Sequence, residues 1–194
     1  MADREIAARR RTKLEAERTA AQAAGEEYAV SLNLKFRWNA GAPMPHLFSD
    51  GSRAFVLFLQ DVPRVEQDER SRGADGRGSA IPALGVAEFV QVYSVKFGGP
   101  NDEVLNGHPL YGKGLDFYEA HTVVNSRWIA EEERINSVHP NHRGGWHKSL
   151  QHYVFTFHDE TLECLAEDVR TEQLDCSFPE AVVRLATRFV NKGQ

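Results

Sequence analysis

The chain has 194 residues, 41% hydrophobic and 26% charged, with a formal net charge of -5. That length and balance suit one globular domain with a sizeable core and disfavour nonspecific nucleic-acid binding. No apolar run reaches the roughly 18 residues of a membrane span, and two cysteines, Cys164 and Cys176, make no disulfide framework.

The N-terminus lacks the apolar core of a secretory signal, so a reducing cytoplasm is the expected compartment. Residues 3–24 are rich in Ala, Glu and Arg, good helix formers, and Gly25 is a plausible stop. With few large apolar residues to bury, this segment (1–25) reads as a solvated helical arm on a domain spanning 26–194.

"YAVSLNLKFRW" (28–38) alternates apolar and polar residues throughout, the period of a strand buried on one side. One-sided burial points to an antiparallel or mixed sheet. "AFVLFLQDV" (54–62) reads as a more central strand. The Gly-, Arg- and Asp-rich stretch 63–83 reads as a mobile surface loop. "VAEFVQVYSVKF" (86–97) is a third strand, 98–114 a loop, and "LDFYEAHTVV" (115–124) a fourth strand.

Asn125 or Ser126 caps a helix running to about Val138, with Trp128, Ile135 and Val138 facing inward, and Pro140 ends it. "LQHYVFTFH" and "TLECLAED" form a hairpin about Asp159-Glu160. In that register Phe157 faces Leu162, Phe155 faces Cys164 and Tyr153 faces Ala166. Ser177 and Glu180 make a capping box for "FPEAVVRLATRFV", with Val182, Leu185, Ala186 and Phe189 on one stripe. The expected fold class is α+β: a largely antiparallel six-stranded sheet with helices packed on one face and an N-terminal helical arm.

Three places carry candidate chemistry. "GHPLYGKG" (107–114) follows a phosphate-binding loop for seven positions, but Gly114 replaces the required hydroxyl residue and a strand, not a helix, is expected to follow. A glycine-rich connection accounts for it. A looser ligand loop would use His108, Tyr111 and Lys113.

His139, His142 and His147 offer three imidazoles, the set a catalytic zinc uses. Their spacing is irregular, and Arg143 and Lys148 are interleaved, so no metal is expected and a polar loop accounts for them. No cofactor is expected either.

The third place is the non-core face of the last strands. His152, His158 and Glu163 lie there, and Glu119 and His121, two apart, join them from the fourth strand. Histidine beside carboxylate is what general acid–base chemistry requires, because each tunes the other. A solvated face whose charges simply pair is the bland alternative.

The block from "KFGGPNDEVLNGHPLYGKGL" through "NSRWI" to "HYVFTFHDETLECLAED" (96–168) resembles a pattern found in uncharacterised bacterial proteins, and implies no activity. The expectation is a cytoplasmic domain with a His/Glu-lined cleft. There His121 or His158 would act as base with Glu119 or Glu163 as partner on a small polar or anionic substrate. His108, Tyr111, Lys113 and His152 would bind it. Two other classes fit the sequence: a non-catalytic protein-binding module, immunity or regulatory, and a metal-dependent hydrolase using the 139–147 histidines. No nucleic-acid or membrane partner is expected, and a homo-oligomer is left open.

Overall fold

A computed structural model describes residues 2–34, 36–61 and 83–190. The loop anticipated for 63–83 falls outside the described residues except for Ala83. The fold is α+β, but the sheet has seven strands rather than six, and every pairing is antiparallel. In chain order they are β1 (Tyr28–Ser31), β2 (His46–Ser49), β3 (Arg53–Leu59), β4 (Leu84–Gly98), β5 (Ala120–Val124), β6 (Gln151–Thr156) and β7 (Thr161–Leu174). The helices among the described residues are α1 (Ala2–Ala24), α2 (Arg127–Asn136) and α3 (Phe178–Val190), with short 3-10 turns at Asp102–Gly107 and Trp146–Ser149. No described helix is long and apolar enough to cross a membrane.

The spatial order is β1-β5-β6-β7-β4-β3-β2. Two three-stranded meanders, β2-β3-β4 and β5-β6-β7, meet along their longest strands, and β1 adds to the outer edge of the second. The strand missed in the sequence is β2, four residues on the edge beside β3, too short to show a period.

The stretch read as one strand over 28–38 pairs as a strand only at Tyr28–Ser31. It then leaves the sheet edge. From Leu32 onward its alternation is nonetheless the pattern of burial: Leu32, Leu34 and Phe36 pack on the central apolar cluster, and Trp38 is buried within it. The Trp38 ring lies 5.5 Å from Phe155 and 4.7 Å from Phe157, and its Nε1 donates to the Thr156 carbonyl at 3.0 Å. Period two reports which side chains go inward, and ladder hydrogen bonds are a separate matter.

The β6–β7 hairpin keeps the expected faces but not the expected partners. Phe155 faces Leu162 and Tyr153 faces Cys164, a slip of two residues, with Phe157–Glu160 forming the connection. A slip of two preserves which side each residue faces, whereas a slip of one would have buried Glu163 in the central cluster.

The fourth strand begins at Ala120, not 115; Phe117 and Tyr118 form a turn, with Tyr118 at φ 55°. In α2, Ser126 is the cap as expected, but Ile135 and Val138 are exposed rather than inward. In α3 the capping box is present: Glu180 accepts from the Ser177 amide at 2.9 Å and its hydroxyl at 2.8 Å. Ala181 and Leu185 are buried there, and Ala186 is exposed.

Helix α1 touches the sheet through its last turns. Ala21 is buried against Val30 and Val124, and the Asn125 amide donates to the Ala21 carbonyl at 3.0 Å. The side of the sheet away from the central cluster is covered in two patches. Helix α3 covers Phe55, Leu57, Leu84 and Val86. At the other end, Leu105, Leu110 and Leu115 cover Ala29, Val123 and Val154.

Candidate functional site: a Ser–His–Glu relay beside a cleft

The residue after β5 is Asn125, with φ 51°, and the next is Ser126, which opens α2. This abrupt strand-to-helix turn holds the Ser126 hydroxyl over β6. There the hydroxyl accepts the Ile129 amide at 3.2 Å as a helix cap and lies 2.9 Å from His152 Nδ1. The other ring nitrogen of His152 lies 3.0 Å from Glu163 Oε2.

The two-residue register slip creates this contact. In the expected pairing His152 faced Glu167; in the observed one it faces Leu165 and is diagonal to Glu163, which faces Val154. Glu167 instead accepts from the Ser149 hydroxyl at 2.8 Å.

Glu163 is the hub. Lys96 Nζ lies 3.8 Å and His108 Nε2 3.9 Å from its Oε1. Burial alone would push its carboxyl up, but His108, His152 and Lys96 together hold it well below the usual carboxylate range. An ionised Glu163 can only accept, so Nε2 of His152 carries a proton. In the neutral imidazole Nδ1 is then the acceptor, and the Ser126 hydroxyl donates to it. His152 is 2% exposed and packs edge-on against Trp128 at 5.3 Å, which fixes the ring plane. Lys96 also sits 3.6 Å above the Trp128 ring.

Above Ser126 lies a cleft of about 510 Å³. Helix α1 supplies Arg18 and Gln22, and the end of β5 supplies Val123 and Val124. Asn125 and Ser126 form the turn, Ile129 and Ala130 come from α2, and His147, Leu150 and Gln151 close the remaining side.

The loop carrying His139, His142 and His147 is tied down by Glu133 of α2. His142 Nε2 lies 2.9 Å from Oε1 and His147 Nδ1 2.9 Å from Oε2. Glu133 loses some solvation, which favours the acid, but the two imidazoles prevail and lower its pKa. His139 is apart from them, exposed, and accepts the Asn141 amide at 3.2 Å. Among the described residues no three His, Cys, Asp or Glu side chains are arranged to hold a metal ion.

The other anticipated residues are distributed. His121 is fully buried, and its Nε2 accepts the Asp116 amide at 3.1 Å. Burial lowers its pKa against the opposing pull of Glu119 and Asp116. Glu119 precedes β5 and accepts a short hydrogen bond from the Ser31 hydroxyl. It lines a separate cavity of about 40 Å³ beside Trp38 and Tyr118, which His158 does not line.

His158 lies in the β6–β7 connection. Its Nδ1 is 3.0 Å from Asp159 and its Nε2 3.9 Å from Asp102, which also accepts the Tyr118 hydroxyl. The bond to Asp159 raises its pKa against the effect of partial burial.

Of the anticipated set, then, His108, His152 and Glu163 come together. His121, Glu119 and His158 occupy three other settings. Tyr111 is exposed beside Phe117, at 6.5 Å between rings. Lys113 is half-buried, and its carbonyl accepts from the Ala29 amide at 2.8 Å.

The near-match to a phosphate loop has a packing explanation. Gly114 has φ 84°, and a Cβ there would stand 2.0 Å from the Ala29 carbonyl. The hydroxyl residue that the motif needs cannot fit where β1 crosses.

Two cleft residues escaped the sequence reading. The sequence presents Ser126 as a helix cap, and the hint of more is a lone Ser at a strand-to-helix turn, "VVNSRW". Arg18 carried no signal, being one of several basic residues on an exposed helix. The chain matches no protein-family model, no curated protein and no solved structure, so a functional reading rests on this geometry alone.

Proposed function

We propose that the chain catalyses acid–base chemistry on a small polar substrate held in the cleft, with acyl transfer to water as the reaction class. The observation that carries it is the Ser126–His152–Glu163 relay, with both links at 2.9–3.0 Å, whose serine lines the cleft. A hydroxyl within hydrogen-bond reach of a base, which is itself oriented by a third group, is the arrangement that activates a serine.

In the first step Ser126 Oγ bonds to the acyl carbon and the carbonyl electron pair moves to its oxygen. The hydroxyl proton passes to His152 Nδ1. Glu163 keeps the ring oriented and stabilises the imidazolium. When the carbonyl re-forms, the leaving group departs with the proton from Nδ1. Water, giving a proton to the same nitrogen, then attacks the acyl-serine, and the proton returns to Oγ as the acid leaves. The two ring nitrogens have exchanged roles relative to the serine hydrolase triad, where Nε2 faces the serine. In this reading Glu163 keeps the partner role anticipated for it, His152 becomes the base, His108 supports Glu163, and His121, Glu119 and His158 take no step.

A second reading, a binding module without chemistry, draws on two observations. The Ser126 hydroxyl also caps α2, and the Arg127 amide is already taken by Glu27 at 2.8 Å, leaving that donor unavailable to an oxyanion.

The two readings separate on treatment with an alkyl fluorophosphonate followed by peptide mass mapping. The expected result is an adduct on Ser126, absent in Ser126→Ala and formed about 10²–10⁴ times more slowly in His152→Gln. An unmodified Ser126 in the folded protein, or equal rates in His152→Gln, would establish the binding reading instead.

A further inference from the structure

The cleft above Ser126 has a chemical bias. The chain carries a net charge of -5, yet among the described residues no Asp or Glu lines this cleft. Its ionisable lining groups are Arg18 and His147, and its other polar groups are amides and the Ser126 hydroxyl. Arg18 has no carboxylate partner among the described residues, whereas its helix neighbours are paired, Arg9 with Glu5 and Lys13 with Glu17. His147 lies with Nδ1 2.9 Å from Glu133 Oε2. The rest of the lining is aliphatic, chiefly Val123, Val124, Ile129 and Leu150.

We infer that the cleft binds a small anion with a short aliphatic body, and that Arg18 of α1 is its charge-recognising residue. A guanidinium presents a planar fork of donors that matches a carboxylate or a phosphate, and here it stands at the edge of a pocket whose described lining holds no carboxylate. Helix α1 is thereby a wall of the site rather than a free arm. Its last turn is anchored for this: Ala21 is buried against Val30 and Val124, and Asn125, the neighbour of Ser126, donates to the carbonyls of Ala21 and Glu26 at 3.0 and 2.9 Å. The inference rests on the preceding reading only for the reacting group; the recognition of charge stands on the lining.

Acetate, butyrate and inorganic phosphate are the probes, each titrated into the full-length protein while amide and arginine side-chain NMR signals are followed. Saturable shifts confined to Arg18, Gln22, Asn125, His147 and Gln151 are expected. Butyrate should bind about tenfold more tightly than acetate, because two further methylenes enter the aliphatic part of the cleft. Arg18→Gln should weaken each bound anion about tenfold or more, and Arg18→Lys should recover part of the loss. Arg18 is exposed on its helix, so neither variant threatens the fold. The phosphate arm distinguishes the two anion types: tighter phosphate than butyrate assigns a phosphate ester, the reverse a carboxylate.

Absence of saturable shifts with all three probes, or affinities unchanged in Arg18→Gln, overturns the inference. Failure of the catalytic reading looks different. Anion binding would persist in wild type and in Ser126→Ala while the fluorophosphonate leaves Ser126 unmodified. Labelling of Ser126 that none of the anions slows would show the converse.

Discussion

One side of this sheet is built in two ways. Beneath α3, Phe55, Leu57, Leu84 and Val86 meet Ala181, Leu185 and Phe189, an apolar seam whose members need only fit. Beneath α2, at the other end, buried Ser126 and His152 meet half-buried Glu163 and His108, and these groups need one another. Apolar burial stabilises in proportion to area and tolerates imperfect partners. A buried polar group without a partner costs more than its hydrogen bond contributes. The first patch therefore holds the fold together, and the second holds a particular arrangement of protons in place.

The largest expected effect lies in the apolar patch. Phe55→Ala should cost about 3–5 kcal/mol in urea unfolding, since a fully buried ring packed 5.0 Å from Phe189 is removed. Reactivity of Ser126 in the remaining folded protein should be unchanged. A loss of labelling that exceeds the loss of folded protein would show that the two patches are coupled.

Gly114→Ser completes the phosphate-loop pattern on paper. It should destabilise by about 1–3 kcal/mol from its backbone conformation alone, with the clash against Ala29 added, and should confer no ATP binding by calorimetry. Measurable ATP affinity would show that the loop, not β1, sets the residue at 114.

Glu163→Gln tests the polar patch. It should cost about 1–3 kcal/mol, because His152 loses an ionised acceptor. It should also change the pH dependence. Glu163 titrates lower in the fold than in the unfolded chain, so its contribution is present above about pH 4.3 and is lost as pH falls below it. His121 is likewise lowered, by burial, so its contribution is lost as pH falls below about 6.5. The variant should lose the lower step and keep the upper one. Retention of both steps in unfolding curves from pH 7 to pH 3 would remove Glu163 from the network.

Ser126→Ala has the smallest expected effect on stability, about 1–2 kcal/mol, for a lost helix cap and for His152 Nδ1 left without its donor. It should nevertheless abolish fluorophosphonate labelling. A stability loss as large as that of Glu163→Gln would mark the serine as a structural member of the network first.

How much of this was legible beforehand depends on the kind of signal. The faces of β6 and β7 were readable because apolar residues alternate on both strands, and the caps at Ser126 and Ser177 were readable because they are local chemistry. The register was not, because a slip of two leaves every face unchanged and is decided by a four-residue connection. That slip gave Glu163 to His152 rather than His158. His108, His152 and Glu163 were singled out as types; their meeting depends on a loop folding back over β7, which no spacing encodes. The reach of "YAVSLNLKFRW" was overestimated for a related reason: a segment crossing a core alternates just as a strand does. Arg18 was invisible because its role depends on where β1 and β5 place the end of α1.

The arrangement of the two meanders carries a kinetic consequence. Each is assembled from neighbours in the chain: β2 with β3, β3 with β4, β5 with β6, β6 with β7. The seam between them is different. Leu84 pairs with Leu174 and Gly98 with Thr161, across a long stretch of chain, and Tyr28 pairs with Val124 across another. Closing such large loops is entropically costly and slow, so the hairpins should form first and the β4–β7 and β1–β5 ladders last. Ser126 follows immediately on the second of these ladders. In pulse-labelled hydrogen exchange during refolding, the amides of β6 should gain protection before those of β1, and the relay beside the cleft should be among the last parts of the molecule to assemble.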